Sequence, residues 1–187
     1  MLLYRVFPWD ATAAPGTSGS ATFLFRPQGA GRWDNDHLYG AWYLAGSPAG
    51  AVGETFGNIA RWSPAMFLHP PTGFPRALAT FSVPDDLSLV DLDDPATLLA
   101  WSMRPTQVVT RNPSSTQGRA RDIFEARRAD GSPAWQGIRW WSFWRPTWTN
   151  TVLFEAPGRS VDLTLQDVTP LSMASPAVLD AAASLTR

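Results

Sequence analysis

Two charged side chains able to do chemistry lie close together in the segment 31–58, one an arginine, Arg32, and the other a glutamate, Glu54. The chain has 16 acidic residues, of which three are glutamates, and of these three Glu54 alone lies in an apolar stretch rich in small residues. Small neighbours such as Gly50 and Gly53 allow other backbone or a ligand to approach closely. The segment therefore indicates a carboxylate that a ligand can reach.

The residues before Glu54 predict the elements that position it. The run 39–45 is short, nearly all apolar and contains three aromatic residues, which is typical of a buried strand. Ser47 is a favourable N-cap and Pro48 suits the first helical position, so we predict a helix that continues to Phe56. Glu54 then lies about two turns into this helix.

Weaker patterns predict the remaining elements. An opening strand at 2–7 has an alternation that puts Arg5 on the same face as Leu3 and Phe7. The Pro-rich segment 61–75 is interpreted as a lid or a wall. Further strands are predicted at 22–26, 76–83, 87–91, 137–143 and 151–155, and further helices at about 95–103, at 116–128 and from Ser175 to the C-terminus, with 104–113 irregular.

The order of these elements favours an α+β fold. Strands and helices are mixed without strict alternation and no repeat of fixed period is visible, which argues against a doubly wound α/β fold. A chain of 187 residues with 44% hydrophobic composition is long enough for a single compact domain with its own core. We expect the catalytic part in residues 1–160, with residues 161–187 as a C-terminal extension that carries a short helix and packs on the same domain.

Charge and cysteine content exclude several classes of protein. The formal net charge is −1 and no dense basic run occurs, which argues against direct binding of nucleic acid. The absence of cysteine removes disulfides, thiolate nucleophiles and cysteine-ligated metals. Because the sequence also shows no signal-peptide pattern and no apolar span of membrane length, we expect a soluble cytoplasmic protein that does not associate with membranes.

Common catalytic motifs do not occur in this sequence. It has no phosphate-binding loop, no dinucleotide fingerprint and no nucleophile elbow. His37 and His69 are too few for a three-ligand metal site, so we predict no metal. A Ser-His-Asp triad has no local signature to support it. For the four tryptophans within 140–148 we favour packing in the core over a stacking platform for bases or sugars.

Several motifs, taken together and in order, resemble those of the RES domain family. They are YRVF at the start, GRWDNDHLYGAWYLAGSPAGAVGETF in the middle, LVDLDDP, the TQ before a helix, and GIRWWS to NTVLFE near the end. The resemblance covers roughly residues 2–155 and is strongest over 31–56. It implies a fold like that of ADP-ribosyltransferases and a bacterial toxin that consumes NAD+ and is paired with a DNA-binding antitoxin.

The resemblance also implies roles for individual residues. Glu54 is expected to stabilise the positive charge that develops on the ribose when the bond to nicotinamide breaks. Arg5 and Arg32 are expected to hold the pyrophosphate or the ribose, and Tyr43 to stack against nicotinamide. These four residues form the expected catalytic set, with NAD+ as the substrate and no resident cofactor.

Two further residues, Ser142 and Gln117, are expected to contact the substrate, again by resemblance. One position departs from the family, since Asp34 follows the GRW triplet where asparagine is more usual. Each residue also has a purely structural interpretation, such as an ion pair for the arginines, core packing for Tyr43 and a surface charge for Glu54. The alternative functions are transfer of ADP-ribose to a protein and a non-catalytic binding module. The sequence does not decide between a monomer and a homodimer.

Overall fold

The computed structural model describes residues 1–110 and 112–186. In this part of the chain seven strands form one mixed sheet in the order β4-β5-β6-β2-β1-β3-β7. The strands are β1 (Leu2–Pro8), β2 (Gly40–Ala45), β3 (Arg76–Ser82), β4 (Leu89–Asp91), β5 (Gly137–Trp141), β6 (Thr149–Glu155) and β7 (Thr164–Pro170). The helices are α1 (Pro48–Phe56), α2 (Pro95–Ala100), α3 (Pro105–Val108), α4 (Pro113–Glu125) and α5 (Pro176–Leu185), with a 3₁₀ helix at Pro64–Phe67. The fold is α+β.

The predicted unit of a buried strand followed by a helix is confirmed. β2 is hydrogen-bonded to β6 along its length, and the backbone of Gly50 donates to Oγ of the N-cap Ser47 at 3.0 Å. Pro48 occupies the first turn, and the helix ends at Phe56 as predicted. Local capping chemistry therefore fixes where α1 begins, and with it the position of Glu54.

α1 covers one face of the sheet and is covered in turn by α5. Val52 and Phe56 are fully buried there, in one apolar cluster with Val178 and Ala181 of α5. Burial of each large apolar side chain contributes about 1.5–3 kcal/mol to folding. The C-terminal helix thus helps to hold α1 against the sheet.

Glycine in α1 leaves room for an aromatic ring. A Cβ at Gly53 would lie 2.2 Å from Cζ3 of Trp148, a residue of the loop between β5 and β6. The group that approaches the helix at Gly53 is therefore the ring of Trp148. It holds the loop against α1.

The sheet opens between β1 and β2. β1 is paired with β3 along its whole length, but within the described residues its pairing with β2 is confined to Tyr4 and Ala45. Because Ala45 is the last residue of β2, the two strands are separated over the rest of β2. Backbone groups along the divergence face a gap, and α1 lies above it.

Several predicted elements differ from the structure. The strand predicted at 22–26 is wrong, because this stretch is a turn followed by irregular backbone, and the backbone N–H of Phe23 donates to the carbonyl of Ser20. The segment 104–113, expected to be irregular, contains α3. β7 was not predicted, because its side chains are mostly exposed and show no apolar alternation.

The Pro-rich segment 61–75 packs into the core beneath α1. Its Met66 and Phe67 are buried in the 3₁₀ helix, and the indole of Trp62 donates to the backbone carbonyl of Phe56 at 3.1 Å. The rings of Phe56 and Phe67 meet edge to face, with centroids 5.7 Å apart. The segment is therefore a wall of the core at the end of α1.

Candidate functional site

A cavity of about 310 Å³ lies where β1 and β2 separate. β1 contributes Arg5 to its lining, β2 contributes Tyr43, and α1 contributes Glu54. Trp140 of β5 and Asn150 of β6 also line the cavity. Three of the four residues expected to be catalytic are thus brought to one cavity.

Glu54 lies in the last turns of α1, on its exposed side, with its carboxylate at the cavity. Oε1 accepts a hydrogen bond from Nδ2 of Asn150 at 2.8 Å. No other described residue donates to either oxygen of this carboxylate. The contact fixes one oxygen and leaves the other available to a ligand.

Arg5 lines the same cavity, but its guanidinium is anchored on the other side of the sheet. Nη1 donates to the carbonyl of Phe23 at 3.0 Å, and the ring of Trp42 lies 5.1 Å from the guanidinium carbon. Alternation along β1 puts Arg5 on the face of Leu3 and Phe7, as predicted, and this face is opposite α1. Arg5 and Glu54 therefore approach the cavity from opposite faces of the sheet, through the gap between β1 and β2.

The charge of Arg5 is not neutralised by any described carboxylate within ion-pair distance. Burial lowers the pKa of Arg5 to about 10, which still leaves the guanidinium charged at neutral pH. A partly buried cation without an anionic partner attracts an anionic ligand. Arg5 thus makes the gap between the strands favourable for negative charge.

Arg32 lies at a neighbouring cavity of about 330 Å³, together with Asn58 just beyond α1. Its Nε donates to the carbonyl of Thr110 at 3.3 Å. Burial lowers the pKa of Arg32, and the negative charge of Glu54 opposes this effect. Arg32 and Glu54 therefore interact electrostatically, although no ion pair between these two described residues is formed.

Tyr43 holds the turn that carries Arg32. Its hydroxyl donates to Oδ1 of Asp34 at 2.8 Å and accepts from the backbone of Trp33 at 2.9 Å. Oδ2 of Asp34 accepts from the backbone of Gly31 at 2.6 Å. A Cβ at Gly31 would lie 2.5 Å from the hydroxyl of Tyr43, so this position requires glycine.

The ring of Tyr43 remains at the cavity while its hydroxyl is occupied. It meets Trp140 edge to face, with centroids 6.3 Å apart. Burial, and then the nearby charge of Asp34, raise the pKa of Tyr43 beyond its usual range. The hydroxyl therefore stays protonated and remains a donor to Asp34.

The same turn is held from the other side by α4. Nε2 of Gln117 donates to the carbonyls of Gly29 and Gly31, at 3.0 and 2.9 Å. The hydroxyl of Thr116, which is fully buried, donates to the carbonyl of Arg32 at 2.6 Å. Gln117 thus contacts the backbone of the turn and does not line the cavity of Glu54, and a contact between it and substrate stays a prediction.

Ser142 is buried in the turn after β5. Its Oγ accepts from the backbone of Trp144 at 3.0 Å and from that of Arg145 at 3.4 Å. It does not line either of the two cavities described here. Its expected contact with substrate stays a prediction, and the contacts present are those of a residue that shapes the loop.

The tryptophans of the segment 140–148 mostly serve packing. Trp140 is buried in a core cluster and meets Trp33 edge to face, with centroids 5.5 Å apart. Trp148 packs on Gly53 and Trp144 on Gly57. Trp140 also lines the cavity of Glu54, whereas Trp144 and Trp148 do not.

Two residues at the site were not predicted from the sequence. Asn150 lies just before the strand predicted at 151–155, although it is buried and belongs to β6. The available signal is a lone amide directly before the predicted strand 151–155. Thr116 gave no signal, since a threonine near a helix start is ordinary.

Neither a metal-ligand cluster nor a membrane-spanning helix occurs within the described residues. No cluster of three or more histidines and carboxylates suited to a metal ion occurs there. Of the helices described, none has both the length and the apolar composition that crossing a membrane demands.

Comparison with known proteins identifies a family and solved structures of similar fold. The model of the RES domain family matches residues 2–173. A chain in the crystal structure of the M. tuberculosis MbcT-MbcA toxin-antitoxin complex is similar in fold, with a TM-score of 0.61 and 20% sequence identity. The match covers 92% of this chain and 85% of that chain. No curated protein matches the chain.

Proposed function

The chain belongs to the RES domain family, and from this premise we propose that it is an enzyme that degrades NAD+ and acts as the growth-inhibiting toxin of a toxin–antitoxin pair. The bond that breaks joins nicotinamide to the ribose. With water as the nucleophile the products are nicotinamide, ADP-ribose and a proton. With phosphate they are nicotinamide and ADP-ribose phosphorylated at the same ribose carbon.

The observation that carries this proposal is the cavity between β1 and β2, which combines the carboxylate of Glu54 with a guanidinium that has no anionic partner among the described residues. NAD+ requires both features. Its ribose gains positive charge as nicotinamide leaves, and its pyrophosphate is negative. A carboxylate and a guanidinium in one cavity therefore complement the transition state of this substrate.

Glu54 acts on the ribose. No described residue donates to Oε2, so this oxygen can accept from the ribose hydroxyls or face the developing positive charge. Electrostatic stabilisation of this kind is worth most where water is displaced, as in a cavity filled by a ligand. Tyr43, with its ring at the cavity beside Trp140, forms an apolar surface for the nicotinamide ring.

Arg32 and Arg5 bind the pyrophosphate. A guanidinium presents several donors in a fixed plane and suits phosphate oxygens. Within the described part of the chain, each of the two donates one hydrogen bond, to the backbone carbonyls of Thr110 and Phe23 respectively. The other donors of each guanidinium remain available for an anion.

The regulatory part of the proposal concerns a protein partner. A chain of similar fold occurs in a toxin–antitoxin complex, which supports an antitoxin for this chain as well. We propose an antitoxin with a DNA-binding domain, one segment of which occupies the cavity. A carboxylate or C-terminus of that segment would meet Arg5 and Arg32 in place of pyrophosphate.

The experiment is to incubate the purified protein with NAD+, with and without phosphate, and to identify the products by mass spectrometry. Release of nicotinamide with free or phosphorylated ADP-ribose supports the proposal and identifies the acceptor. ADP-ribose attached to a protein would instead establish the transferase alternative. Expression in a bacterial host should lower cellular NAD+, and the neighbouring open reading frame should prevent this. Harmless expression with undiminished NAD+ would remove the toxin role.

A further inference from the structure

We infer that Asn150 is a positioning residue that sets the orientation of the Glu54 carboxylate, an inference that rests on the proposed function and extends it. The amide donates from Nδ2 to Oε1 of Glu54 at 2.8 Å. This is the one hydrogen bond to that carboxylate from a described residue. A carboxylate on a flexible side chain at the exposed surface of a helix is otherwise free to rotate.

The position of Asn150 suits this role because its backbone belongs to the interior of the sheet. In β6 it is paired with Ala45 of β2 on one side and with Trp140 of β5 on the other. Its side chain is buried, with 5% of its surface exposed. Glu54 is thus tied to a rigid element, and rigid support is what holds a reactive group within a fraction of an ångström.

The functional consequence of this hydrogen bond is that substrate interacts with one carboxylate oxygen of Glu54, Oε2. With Oε1 held by Asn150, Oε2 is the oxygen to which no described residue donates, and Glu54 lines the cavity. A misplacement of about 1 Å can lower a rate by about a hundredfold. Loss of Asn150 should therefore weaken catalysis through Glu54 and leave substrate binding by the arginines intact.

The kinetic test compares Asn150→Ala, Glu54→Gln and the double variant. Asn150→Ala should lower kcat by about a hundredfold with KM nearly unchanged, because the interaction acts on the transition state. In the Glu54→Gln background, Asn150→Ala should lower kcat very little further, since a residue that acts through the Glu54 carboxylate then has no carboxylate to position. An equal loss in both backgrounds, or a rise in KM alone, would overturn the inference.

A second variant gives a signature that a merely structural role would not produce. Asn150→Asp puts a carboxylate against Glu54, and two adjacent carboxylates share a proton. The acidic limb of the pH–rate profile should therefore move to higher pH. Asn112→Asp makes the same chemical change at the N-cap of α4, where a carboxylate caps equally well, and should leave the profile unchanged.

One readout does not depend on activity. The side-chain amide signals of Asn150 in a ¹H–¹⁵N spectrum, identified by their loss in Asn150→Ala, should shift clearly in Glu54→Gln. Signals that stay in place would show that the contact is absent in solution and would overturn the inference. If the wild type left NAD+ intact, the proposed function would fail, and this spectrum alone would still decide whether Asn150 holds Glu54.

Discussion

The phenol of Tyr43 donates to Oδ1 of Asp34 at 2.8 Å, and this bond links the strand beside the cavity to the turn that carries Arg32. Asp34 is buried and has no cationic partner among the described residues, so its charge is stabilised by hydrogen bonds from Tyr43 and Gly31. Aspartate at this position supplies two acceptor oxygens, one for each donor. Tyr43 thereby serves both the cavity, through its ring, and the turn, through its hydroxyl.

Tyr43→Phe separates these two roles, since it keeps the ring and removes the hydroxyl. The variant should be less stable by about 1–3 kcal/mol, because a buried acceptor on Asp34 loses its partner. The measurement is the free energy of unfolding in urea. KM for NAD+ should rise as the turn of Arg32 loosens. Wild-type stability together with wild-type KM would show that the hydroxyl contact contributes nothing and that the ring alone matters.

Arg32→Lys keeps the positive charge and removes the planar fork of donors. If Arg32 binds the pyrophosphate, KM for NAD+ should rise about tenfold or more, because a charge-assisted hydrogen bond is worth about 1.5–3 kcal/mol. Steady-state kinetics measures this directly. Arg61→Lys, at an exposed position outside the cavity of Glu54, is the matched control. Equal KM values for the two variants would mean that Arg32 has a structural role.

Gly53→Ala tests the packing of Trp148 on α1. Alanine favours a helix by about 1 kcal/mol over glycine, but overpacking a fixed ring costs about 1–3 kcal/mol. A Cβ here would lie 2.2 Å from the ring, so we expect a net loss of stability. Gly118→Ala is the matched control in α4, where no atom lies within 4 Å of the new Cβ, and it should stabilise the protein. Urea unfolding of both variants measures the sign of the change in the free energy of unfolding. Stabilisation by Gly53→Ala would show that Trp148 does not pack tightly on Gly53.

The sequence predicts best those elements that local chemistry specifies. The start of α1 follows from Ser47 and Pro48, which act on neighbouring backbone whatever the rest of the chain does. β2 follows from its apolar and aromatic run, since a central strand must be apolar on both faces. β7 is an exposed edge strand without such a pattern, so only its pairing with β3 reveals it.

The candidate site was predictable in its residue types and less so in its geometry. Alternation gave the correct face for Arg5, but the sequence does not reveal that α1 covers the opposite face. The partners of Glu54 and Gly53, which are Asn150 and Trp148, lie far along the chain. Such contacts depend on how the strands are ordered in the sheet, and short-range patterns carry no information about that order.

The central claim is that the carboxylate of Glu54 drives cleavage of NAD+, and the most direct measurement is the rate of NAD+ loss with Glu54→Gln. This change removes the charge and hardly alters the volume, so the fold should persist, as circular dichroism can verify. The rate should fall by about a hundredfold or more. Glu125→Gln, the same change on the exposed end of α4, should match the wild type. A folded Glu54→Gln variant that consumes NAD+ at the wild-type rate would contradict the account.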